Sequence, residues 1–577
     1  MKNKIICLLL VLMMCFSVFA LAACNKKDNE TPDDGKTDDT EGEDDGEDDG
    51  DGSNRVEQPK PPVNDLGEEW WKDLTYDTTD LLFQMTLCSN NQELSSGCER
   101  YLAGESEDSE AIDTLVAQRN EDAYLNTKVN VTYLWNITDD AEVYGYSKNI
   151  DRIYEEVSNK TKNTPDMYCN FMTDMLCTSL KGSFANLYSK KHGSGSYAGA
   201  NYFDTNDDGY MADLMASLTL DLNKTYVVAS DYFIDLIRAF FIVPVNVNVY
   251  NSIAGDMIED YNDDGVKDIN DFFYEVNELK WNYDRVADYA AKAYKTGAGN
   301  TSGNEQINDQ LGFVLGHNGL SAAAMVYTSS VVIITKPWDP GSTGYNYPTE
   351  NPELDALAKK LSWLFDQTGV MCVTSSDAKS LGEKTPLLGV RHQFTDGKIL
   401  FGGVILVGSL EHETYQNMKK GDKGGFGVVP VPTYKKGDDY LTQIHGIGRA
   451  GGIAFCTSKF VQCSAFLQYQ SSHSTDIKNH YYDYNLTYDT ASGLDGNIEM
   501  LEYIRDNVRT SFDKLFEDAI GFFYEDTQPG SEQNRWHTLI VTAKFQMNNM
   551  SDTYKSLVGA KQTNLDKLKK QYEILPK

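Results

Sequence analysis

The residues from Asp260 to Asp271, DYNDDGVKDIND, have the types and spacing of a calcium-binding loop. Oxygen-bearing side chains stand at places 1, 3, 5, 9 and 12, and a glycine stands at place 6, where such loops turn sharply. A hard cation takes six to eight oxygen ligands, and this spacing wraps the chain around one. The predicted Ca²⁺ ligands are Asp260, Asn262, Asp264, the carbonyl of Val266, Asp268 and Asp271.

The loop resembles EF-hand and dockerin loops, with two departures. Lys267 stands at place 8, where those loops prefer an apolar residue, and place 12 is Asp271, as in dockerins, instead of a longer glutamate. The shorter side chain of Asp271 predicts weak affinity for Ca²⁺. Extracellular modules bind this ion with dissociation constants of about 10⁻⁴ to 10⁻³ M, so weak affinity would suffice. A solvated acidic turn is the alternative. The segment from Asp204 to Gly209 imitates the first half of the loop but has Met215 where the last ligand would stand, so a second cation site stays open.

The N-terminus has the three-part plan of a secretory signal. Two lysines precede an apolar run from Ile5 to Ala20, and small residues lead to Cys24. The run is shorter than the ~20 residues that a membrane-spanning helix needs. Because LAAC resembles the bacterial lipobox, we expect residues 1–23 to be a lipoprotein signal peptide and Cys24 to carry acyl chains that anchor the protein to a membrane. The alternative is an ordinary cleaved signal with a chance cysteine.

Residues 24–64 are predicted to be a disordered acidic linker. From Asp28 to Asp51 the chain has 14 acidic residues and one lysine, a large share of the net charge of −36. Such a segment buries nothing and extends by self-repulsion, so it spans roughly 35 Å or more as a tether. The remaining chain is acidic as well, which makes nucleic acid and anionic lipid poor partners.

The body that follows alternates strand-like and helix-like segments, which predicts an α/β fold with sheets. Residues 129–135 alternate apolar and polar side chains, as in a half-buried strand. Asn351 and Asn282 each precede a helical pattern, and the first pattern starts with Pro352 and ends at Gly369. The apolar face of that helix is Leu354, Leu357, Ala358, Leu361, Leu364 and Phe365, and that of the second is Tyr283, Val286, Ala287, Ala290 and Tyr294.

Seven cysteines lie beyond Cys24. Cys88 with Cys98, and Cys169 with Cys177, could form disulfides, but an odd number argues against a complete disulfide framework. We interpret most of them as small core residues.

Four segments resemble the extracellular solute-binding proteins of bacterial ABC importers (family 1, the maltose-binding type). Residues 241–251, FIVPVNVNVYN, are similar to the family's first strand between lobes, and residues 279–295 to the tryptophan-led helix after it. Residues 392–408 are similar to its glycine-lysine helix end and following strand, and residues 424–434, GGFGVVPVPTY, to its second crossing. The order and spacing of the segments carry the resemblance, which covers most of the chain beyond about residue 80.

The resemblance implies a two-lobed periplasmic-binding-protein-like fold of type II, with crossing strands between the lobes and a ligand cleft. Lobe 1 would comprise residues 75–245 and 430–480, and lobe 2 residues 250–425 and 485–577. Ligand capture would be a hinge motion at the few crossing residues. The calcium loop lies where the family has a short connector, so its predicted role is to clip a longer one.

In this family the ligand-facing loops follow the strands of each lobe. Carried over to this chain, those loops supply Asn90, Asn91, Asp174, His317, Asn318, Ser409, His445 and Arg449. Trp536 is a further aromatic candidate, whereas Trp338 is followed directly by turn residues and is interpreted as an exposed hairpin tip. Each of these residues could instead be an ordinary loop or core residue.

The function that the resemblance implies is that of a monomeric substrate-binding lipoprotein of an ABC importer, extracellular and anchored to the cell membrane. It would bind a carbohydrate, an oligosaccharide, and pass it to a membrane permease without acting as an enzyme. The motifs G-x-S-x-G and H-E-x-x-H do not occur in the chain. One alternative is a surface glycan-processing hydrolase, because two carboxylates across a cleft suffice for glycoside hydrolysis. The other is a binder of peptides or other solutes on the same fold.

Overall fold

The computed structural model describes most of the chain between residues 66 and 575. The described ranges are 66–88, 99–104, 111–138, 148–189, 191–192, 195–196, 202–297, 306–316, 324–419, 424–486, 496–508, 512–524, 536 and 550–575. The predicted signal peptide, Cys24 and the acidic linker lie outside these ranges. Within them, every helix is too short or too polar to cross a membrane.

The described strands and helices alternate along most of the chain. The strands are β1 (Thr79–Cys88), β2 (Val129–Thr138), β3 (Met167–Phe171), β4 (Lys191–His192), β5 (Gly195–Ser196), β6 (Phe241–Asn246), β7 (Leu311–Gly316), β8 (Val370–Val373), β9 (Ile399–Phe401), β10 (Ile405–Leu406), β11 (Phe426–Val429) and β12 (Arg449–Ile453). The helices are α1 (Ala111–Thr127), α2 (Lys148–Ser158), α3 (Met172–Leu180), α4 (Ala212–Ser217), α5 (Ile234–Arg238), α6 (Val247–Ala254), α7 (Ile269–Asn277), α8 (Tyr283–Ala293), α9 (Pro352–Phe365), α10 (Ser375–Ser380), α11 (Pro386–Thr395), α12 (Glu413–Lys419), α13 (Phe460–Ser472), α14 (Thr475–His480), α15 (Gly496–Asp506), α16 (Phe512–Tyr524) and α17 (Met550–Glu573).

The first sheet has the strand order β12-β3-β1-β2. Strand β1 runs parallel to both β2 and β3, and β12 runs antiparallel to β3. The chain therefore leaves β1 toward one neighbour and later returns to the other. The carboxyl ends of β1 and β3 meet at this switch point, which is where open α/β sheets bind ligands.

The second sheet has the order β10-β6-β9-β7-β8, with β11 also paired to β6. Strand β7 is parallel to β8 and β9, whereas β6 is antiparallel to β9, β10 and β11. All six residues of β6 are buried, which explains why its sequence is a nearly continuous apolar run. The two sheets and their helices confirm the predicted α/β class, and we call them the first and second lobe.

The helix predicted after Asn351 is present as α9. The Asn351 side chain accepts a hydrogen bond from the Leu354 amide at 3.0 Å, and Pro352 occupies the first turn. All six predicted apolar-face residues are buried. Gly369, which follows the helix, has φ +78°, and a Cβ atom there would lie 2.3 Å from the Ala290 carbonyl oxygen. The glycine is therefore required both by the turn and by the close approach of α8.

The tryptophan-led helix is α8. Asn282 caps it by accepting from the amides of Asp284 and Arg285 at 3.0 and 3.2 Å. Trp281 is fully buried, and its indole nitrogen donates to the Pro430 carbonyl at 2.9 Å. This bond ties the start of α8 to the segment that leaves β11.

The chain passes between the lobes through adjacent hydrogen-bonded segments. The Phe241 amide donates to the Gln443 carbonyl at 3.1 Å, and Phe240 forms an antiparallel bridge with Ile444. These contacts join the outward and the returning crossing just before β6 and just before β12.

A third segment lies beside the returning one. The Thr442 amide donates to the Asn507 carbonyl at 2.9 Å, and Thr442 forms a parallel bridge with Val508. The two earlier crossings thus lie near residues 240 and 443, and β6 and β11 belong entirely to the second sheet. The predicted lobe boundaries at 245–250 and 425–430 fall within or next to second-sheet strands, because an unbroken apolar run does not mark where a chain changes sheet.

The cysteines in described positions include buried core residues. Cys169 and Cys463 are free, buried thiols. Cys169 therefore forms no disulfide with Cys177. The interpretation as small core residues holds for Cys169 and Cys463. Cys98 lies outside the described residues.

Candidate ligand-binding site

The carboxyl end of β3 places an acidic side chain at the switch point of the first sheet. Helix α3 begins at Met172, directly after Phe171, so Asp174 lies in its first turn. The side-chain amide Nδ2 of Asn170 donates to Asp174 Oδ2 at 3.1 Å, and Asp174 is 6% exposed. A carboxylate in the first turn is favoured by the helix dipole. Its position is fixed by the strand end and by Asn170.

Arg449 lies beside this strand end because β12 pairs with β3 and places Arg449 opposite Phe171. Its guanidinium is buried, donates to the Thr86 carbonyl in β1, and lies 4.5 Å from the centre of the Phe171 ring. The Asp235 carboxylate is 3.9 Å from Nε. Arg449 therefore links the carboxyl ends of β1 and β3.

His445 belongs to the returning crossing. Its amide donates to the Ala239 carbonyl at 2.9 Å, and its Nδ1 accepts from the Ile447 amide at 3.2 Å. Burial, together with the positive charge of Lys514, lowers the pKa of His445 to about 3, against the opposing charge of Asp518. The imidazole is consequently neutral at neutral pH, and with Nδ1 accepting a bond its Nε2 carries the hydrogen.

A small apolar cluster lies next to these polar groups and outside the main core. It consists of Phe171 and Ile447, with the half-buried Leu406 packed against them. Leu406 comes from β10 of the second sheet, whereas Phe171 comes from β3 of the first. The cluster therefore brings the two lobes together at the carboxyl-end edge.

A largely buried ionic network next to the same edge joins the end of α5, just before the outward crossing, to the turn of residues 407–411 after β10. The Arg238 guanidinium binds Glu411 through two bonds of 2.8 Å and Asp235 Oδ1 through one of 2.6 Å. The Tyr481 hydroxyl also donates to Glu411, at 2.6 Å. Ser409 lies on the same turn as Glu411, residues 407–411. Two-pronged pairing of this kind fixes the orientation of both partners.

Helix α16 packs against α3 and covers this region. Its residues Lys514 and Asp518 form an ion pair one turn apart, and both act on the charge state of His445. Leu515 and Phe516 are buried. The polar groups of the edge are thus enclosed by residues from both lobes.

The structure brings three of the predicted ligand residues together and leaves others apart. Asp174, His445 and Arg449 lie at one edge with Phe171, and we call these four residues the carboxyl-end site. Ser409 lies on the neighbouring turn. The remaining loop candidates, Asn90, Asn91, His317 and Asn318, lie outside the described residues. A role in ligand binding stays a prediction for all of them.

Trp536 lies elsewhere, in an aromatic cluster. Its ring is fully buried, stacked on Tyr554 at 4.8 Å and 6.5 Å from Tyr347. The Lys561 ammonium is 5.2 Å from the ring centre. The geometry is that of a packed core residue.

Several neighbours of the carboxyl-end site were missed from the sequence. Phe171 is the last residue of β3 and lies three positions before the predicted ligand residue Asp174, so it was the one most open to prediction. Arg238 and Glu411 pair across 173 positions, so no local pattern signals them. Leu406 has the sequence context of an ordinary strand residue, and its contact with Phe171 of the other lobe is visible only in the structure.

The predicted calcium loop forms the turn that its spacing requires. Asp263 and Gly265 have φ of 58° and 83°, which accounts for the glycine at place 6. The carboxylates bind the loop's own backbone: Asp260 accepts from the Gly265 amide at 2.8 Å, and Asp264 from the Val266 amide at 2.7 Å. Asp271 is buried, accepts from three backbone amides and completes the N-terminal cap of α7.

The loop fits a cation in its donor types and in one unsatisfied atom. Asp260 Oδ1 is buried without a hydrogen-bond partner among the described atoms, as a ligand oxygen facing a cation would be. Within the described part of the chain, however, no three acidic, histidine or cysteine side chains converge as a metal site. Binding would therefore require the carboxylates to exchange backbone amides for the ion.

The segment from Asp204 to Gly209 has a packing reason for its glycine. A Cβ atom on Gly209 would lie 2.1 Å from the Ser471 carbonyl oxygen of α13. The Gly209 amide donates to Asp207 at 2.9 Å. Close packing on α13 accounts for this glycine without a cation.

No protein-family model matches the chain, and no curated protein matches its sequence. Its fold is similar to those of solved solute-binding proteins. The GacH receptor of Streptomyces glaucescens is 13% identical, with 83% of this chain and 99% of that chain covered and a TM-score of 0.41. The maltose-binding MalE of Listeria monocytogenes, solved with maltose, is 11% identical, with 81% and 99% covered and a TM-score of 0.44.

A third similar structure is the galacto-N-biose-/lacto-N-biose I-binding protein of an ABC transporter from Bifidobacterium longum, solved with lacto-N-biose. It is 11% identical, with 87% of this chain and 100% of that chain covered and a TM-score of 0.41. At such identities and scores, the similarity carries no conclusion about what this chain binds.

Proposed function

We propose that this protein is the substrate-binding lipoprotein of a bacterial ABC importer and that it binds a carbohydrate, an oligosaccharide, by hinge closure of its two lobes. It holds the sugar and passes it to the permease without making or breaking a bond. The lipid on Cys24 and the acidic linker keep the folded body at the outer face of the cell membrane.

The observation that carries the proposal is the position of polar side chains directly on the crossings. His445 is itself part of the returning crossing, bonded to Ala239 of the outward one at 2.9 Å. Asp174 lies on the adjoining strand end. A small change in the crossing residues would move these groups relative to Leu406 of the second lobe, which is how hinge closure around a ligand works.

Carbohydrate suits the chemistry of this edge. Asp174 offers a carboxylate oxygen, and the neutral His445 offers an Nε2 hydrogen, which together can bind a pair of sugar hydroxyls. The Phe171 ring supplies an apolar surface beside them. Sugars present apolar C–H faces rimmed by hydroxyls, so an aromatic ring next to neutral and acidic hydrogen-bonding groups is complementary to them.

Ligand-dependent unfolding of the full-length chain tests the proposal. A sugar at 100 times its Kd stabilises the folded state by about 2.7 kcal/mol. When the melting temperature is measured with a panel of neutral oligosaccharides and peptides, it should therefore rise with sugars. Asp174→Ala should reduce the shift. Asp284→Ala, an exposed first-turn aspartate of α8, should leave it unchanged.

Three results would contradict the proposal. A shift with peptides alone would favour another class of solute. Release of shorter sugars from the panel would show that the protein is a hydrolase. An Asp174→Ala variant that binds sugar as well as the native protein would place the site elsewhere.

We also propose that the loop of residues 260–271 binds Ca²⁺ as a structural clip. The unsatisfied Asp260 Oδ1 and the donor types support this. Asp260, Asn262, Asp264, Val266, Asp268 and Asp271 would hold the ion, which would supply charge neutralisation and fix the connector before α7. The melting temperature should be higher with millimolar Ca²⁺ than with a chelator. Identical melting curves under the two conditions would overturn this proposal.

A further inference from the structure

A cavity of about 810 Å³ lies apart from the carboxyl-end site. Residues 220–224 form one wall; they precede Val228, which bridges to Gly451 of the first sheet. The opposite walls come from the hairpin of residues 335–346 and from the end of α17, residues 569–573. Its size falls within the roughly 300–1,000 Å³ of small-molecule sites. The described residues that line it include none of the carboxyl-end site.

The indole ring of Trp338 forms part of the apolar lining of this cavity, together with Leu220, Leu222, Pro337 and the rings of Tyr345 and Tyr572. Trp338 is half-buried and meets the Tyr345 ring edge to face, with ring centres 6.0 Å apart. Tyr345 in turn stacks on Phe512 at 4.8 Å. The turn predicted after Trp338 is present, since the Ser342 amide donates to the Asp339 carbonyl at 3.0 Å. The indole itself, however, is packed into the molecule as part of a wall and is not an exposed tip.

The polar walls are held in place by bonds among themselves. Lys569 Nζ donates to the Tyr345 carbonyl at 2.9 Å, which ties α17 to the hairpin. The buried Lys224 donates to the carbonyls of Tyr572 and Glu573 at 3.2 and 2.9 Å, which ties the first-lobe loop to the end of α17. A ligand entering a cavity with fixed walls loses little free energy to ordering them.

Short hydrogen-bonding side chains of the first lobe, Asp221 and Asn223, line the same cavity as the indole. Asp221 Oδ1 accepts from the Asn223 amide at 3.0 Å, and Asn223 is exposed. Asp221 and Asp339 both raise the pKa of Tyr345, after burial as the main cause, which shows that their charges lie close to that ring. The cavity therefore combines aromatic rings with carboxylate and amide groups in one lining.

The charges of the lining residues balance. Asp221 and Glu573 are acidic, and Lys224 and Lys569 are basic. Both lysines already donate to carbonyl groups of the protein. A balanced lining gives no net attraction for an anion or a cation, so the groups favour a neutral ligand rich in hydroxyls.

We propose that this cavity is a second ligand site, which takes a neutral oligosaccharide with one sugar ring stacked on Trp338 and its hydroxyls bound by Asp221 and Asn223. The site touches both lobes, so an occupying sugar links them at a distance from the crossings. This inference does not depend on whether the carboxyl-end site binds anything.

Titration calorimetry on the full-length chain tests it, with maltotriose, cellotriose, xylotriose and chitotriose as probes. Trp338→Ala should weaken binding of at least one of these sugars about tenfold or more, because it removes the stacking surface. Trp363→Ala is the matched control: Trp363 is 37% exposed on α9 and lies outside the cavity lining. It should bind every probe as the native chain does.

A second variant guards against misfolding. If Trp338→Ala lowers the melting temperature, Asn223→Ala, which changes an exposed side chain, should still weaken binding several-fold. The inference is overturned if the native chain binds none of the probes, if Trp338→Ala or Asn223→Ala binds all of them normally, or if spermidine binds the cavity in preference to the sugars.

Stoichiometry separates this inference from the proposed function. Two sugar sites per chain should fall to one in Trp338→Ala and to one in Asp174→Ala. If Asp174→Ala abolishes all binding and Trp338→Ala none, the second site is wrong and the proposed function stands. If only Trp338→Ala loses binding, the second site stands and the proposed function fails.

Discussion

The ionic network at the crossings and the acidic loop of residues 260–271 place charged groups in opposite settings. Arg238 is 5% exposed, and it joins Asp235 on its own helix to Glu411, which lies 173 positions away. The carboxylates of the loop bind backbone amides within ten residues, and Asp263 and Asp264 are exposed. The first arrangement depends on the whole fold being correct, whereas the second can form locally.

The difference determines what a substitution should do. Removing one member of a buried ion pair leaves the other charged and poorly solvated, which costs far more than the pair contributes. Removing an exposed carboxylate leaves groups that water can satisfy. The following substitutions test this contrast.

The largest effect should come from Arg238→Met. The change leaves the Asp235 and Glu411 carboxylates without their shared guanidinium, so the free energy of unfolding should fall by about 3–5 kcal/mol. Urea unfolding followed by circular dichroism measures it. Lys292→Ala breaks an exposed ion pair with Asp256 and serves as the control, with no measurable change expected. If both variants lost the same free energy of unfolding, the expected difference between buried and exposed ion pairs would be wrong.

His445→Asn should alter the response to acid. The folded state keeps His445 neutral down to about pH 3, whereas in the unfolded chain it takes up a proton near pH 6.5. The unfolded state therefore binds more protons between these values, and stability falls as pH is lowered through that window. The variant should lose up to about 1.4 kcal/mol per pH unit of this dependence. Unfolding at pH 4.5, 5.5 and 7 measures it, and an unchanged slope would contradict a buried neutral imidazole.

Asp513→Asn should change the slope in the opposite direction. Burial is the main cause that raises the pKa of Asp513 to about 7, against Lys336 and the bonds from the Ile333 and Ile334 amides. The folded state holds this proton up to about pH 7, and the unfolded chain releases it near pH 3.8. Its contribution is thus lost as pH rises from about 4 to 7. The variant should lack this fall in stability, so its free energy of unfolding should rise more steeply with pH between about 4 and 7 than that of the native chain. The same unfolding series compares it with His445→Asn, and a slope equal to the native one would contradict a protonated, buried Asp513.

Sequence patterns predicted the parts of this fold whose contacts are local. Asn351 caps α9 through an amide three residues away, and the loop of residues 260–271 turns at the glycine that its spacing demanded. The α/β class followed from alternating segments in the same way. The resemblance to solute-binding proteins supplied the loops of the carboxyl-end site.

Contacts between distant segments could not be predicted. Arg238 and Glu411 stand 173 positions apart, and neither lies in a pattern that marks it as buried. Local sequence does not distinguish the environments of Trp536 and Trp338. In the structure Trp536 is enclosed by Tyr347 and Tyr554, whereas Trp338 lines a cavity. Their surroundings are decided by the packing of α17 and the hairpin, which single-sequence patterns do not describe.

Asp271→Asn should have an intermediate effect within the acidic loop. Asp271 is buried and accepts from the Tyr261 and Asp268 amides at 2.7 and 2.9 Å. An asparagine keeps the volume but turns one acceptor into a donor that faces an amide, so α7 loses part of its cap. A loss of about 1–2 kcal/mol is expected in chelator. If Asp271→Asn lost as much free energy of unfolding as Arg238→Met, disrupting local contacts would destabilise the protein as much as disrupting contacts between distant segments.

Asp264→Asn should have the smallest effect in the absence of metal. The side chain is exposed and its bonds to Val266 and Asn262 are local, so unfolding in chelator should change by about 0.5 kcal/mol or less. With Ca²⁺ present, the native chain should gain stability that the variant does not, because a ligand oxygen and its charge are lost. Melting of both proteins with and without Ca²⁺ separates the two contributions. A variant that gains as much from Ca²⁺ as the native chain would show that Asp264 is not a ligand, and the loop would then be an acidic turn held by its own backbone.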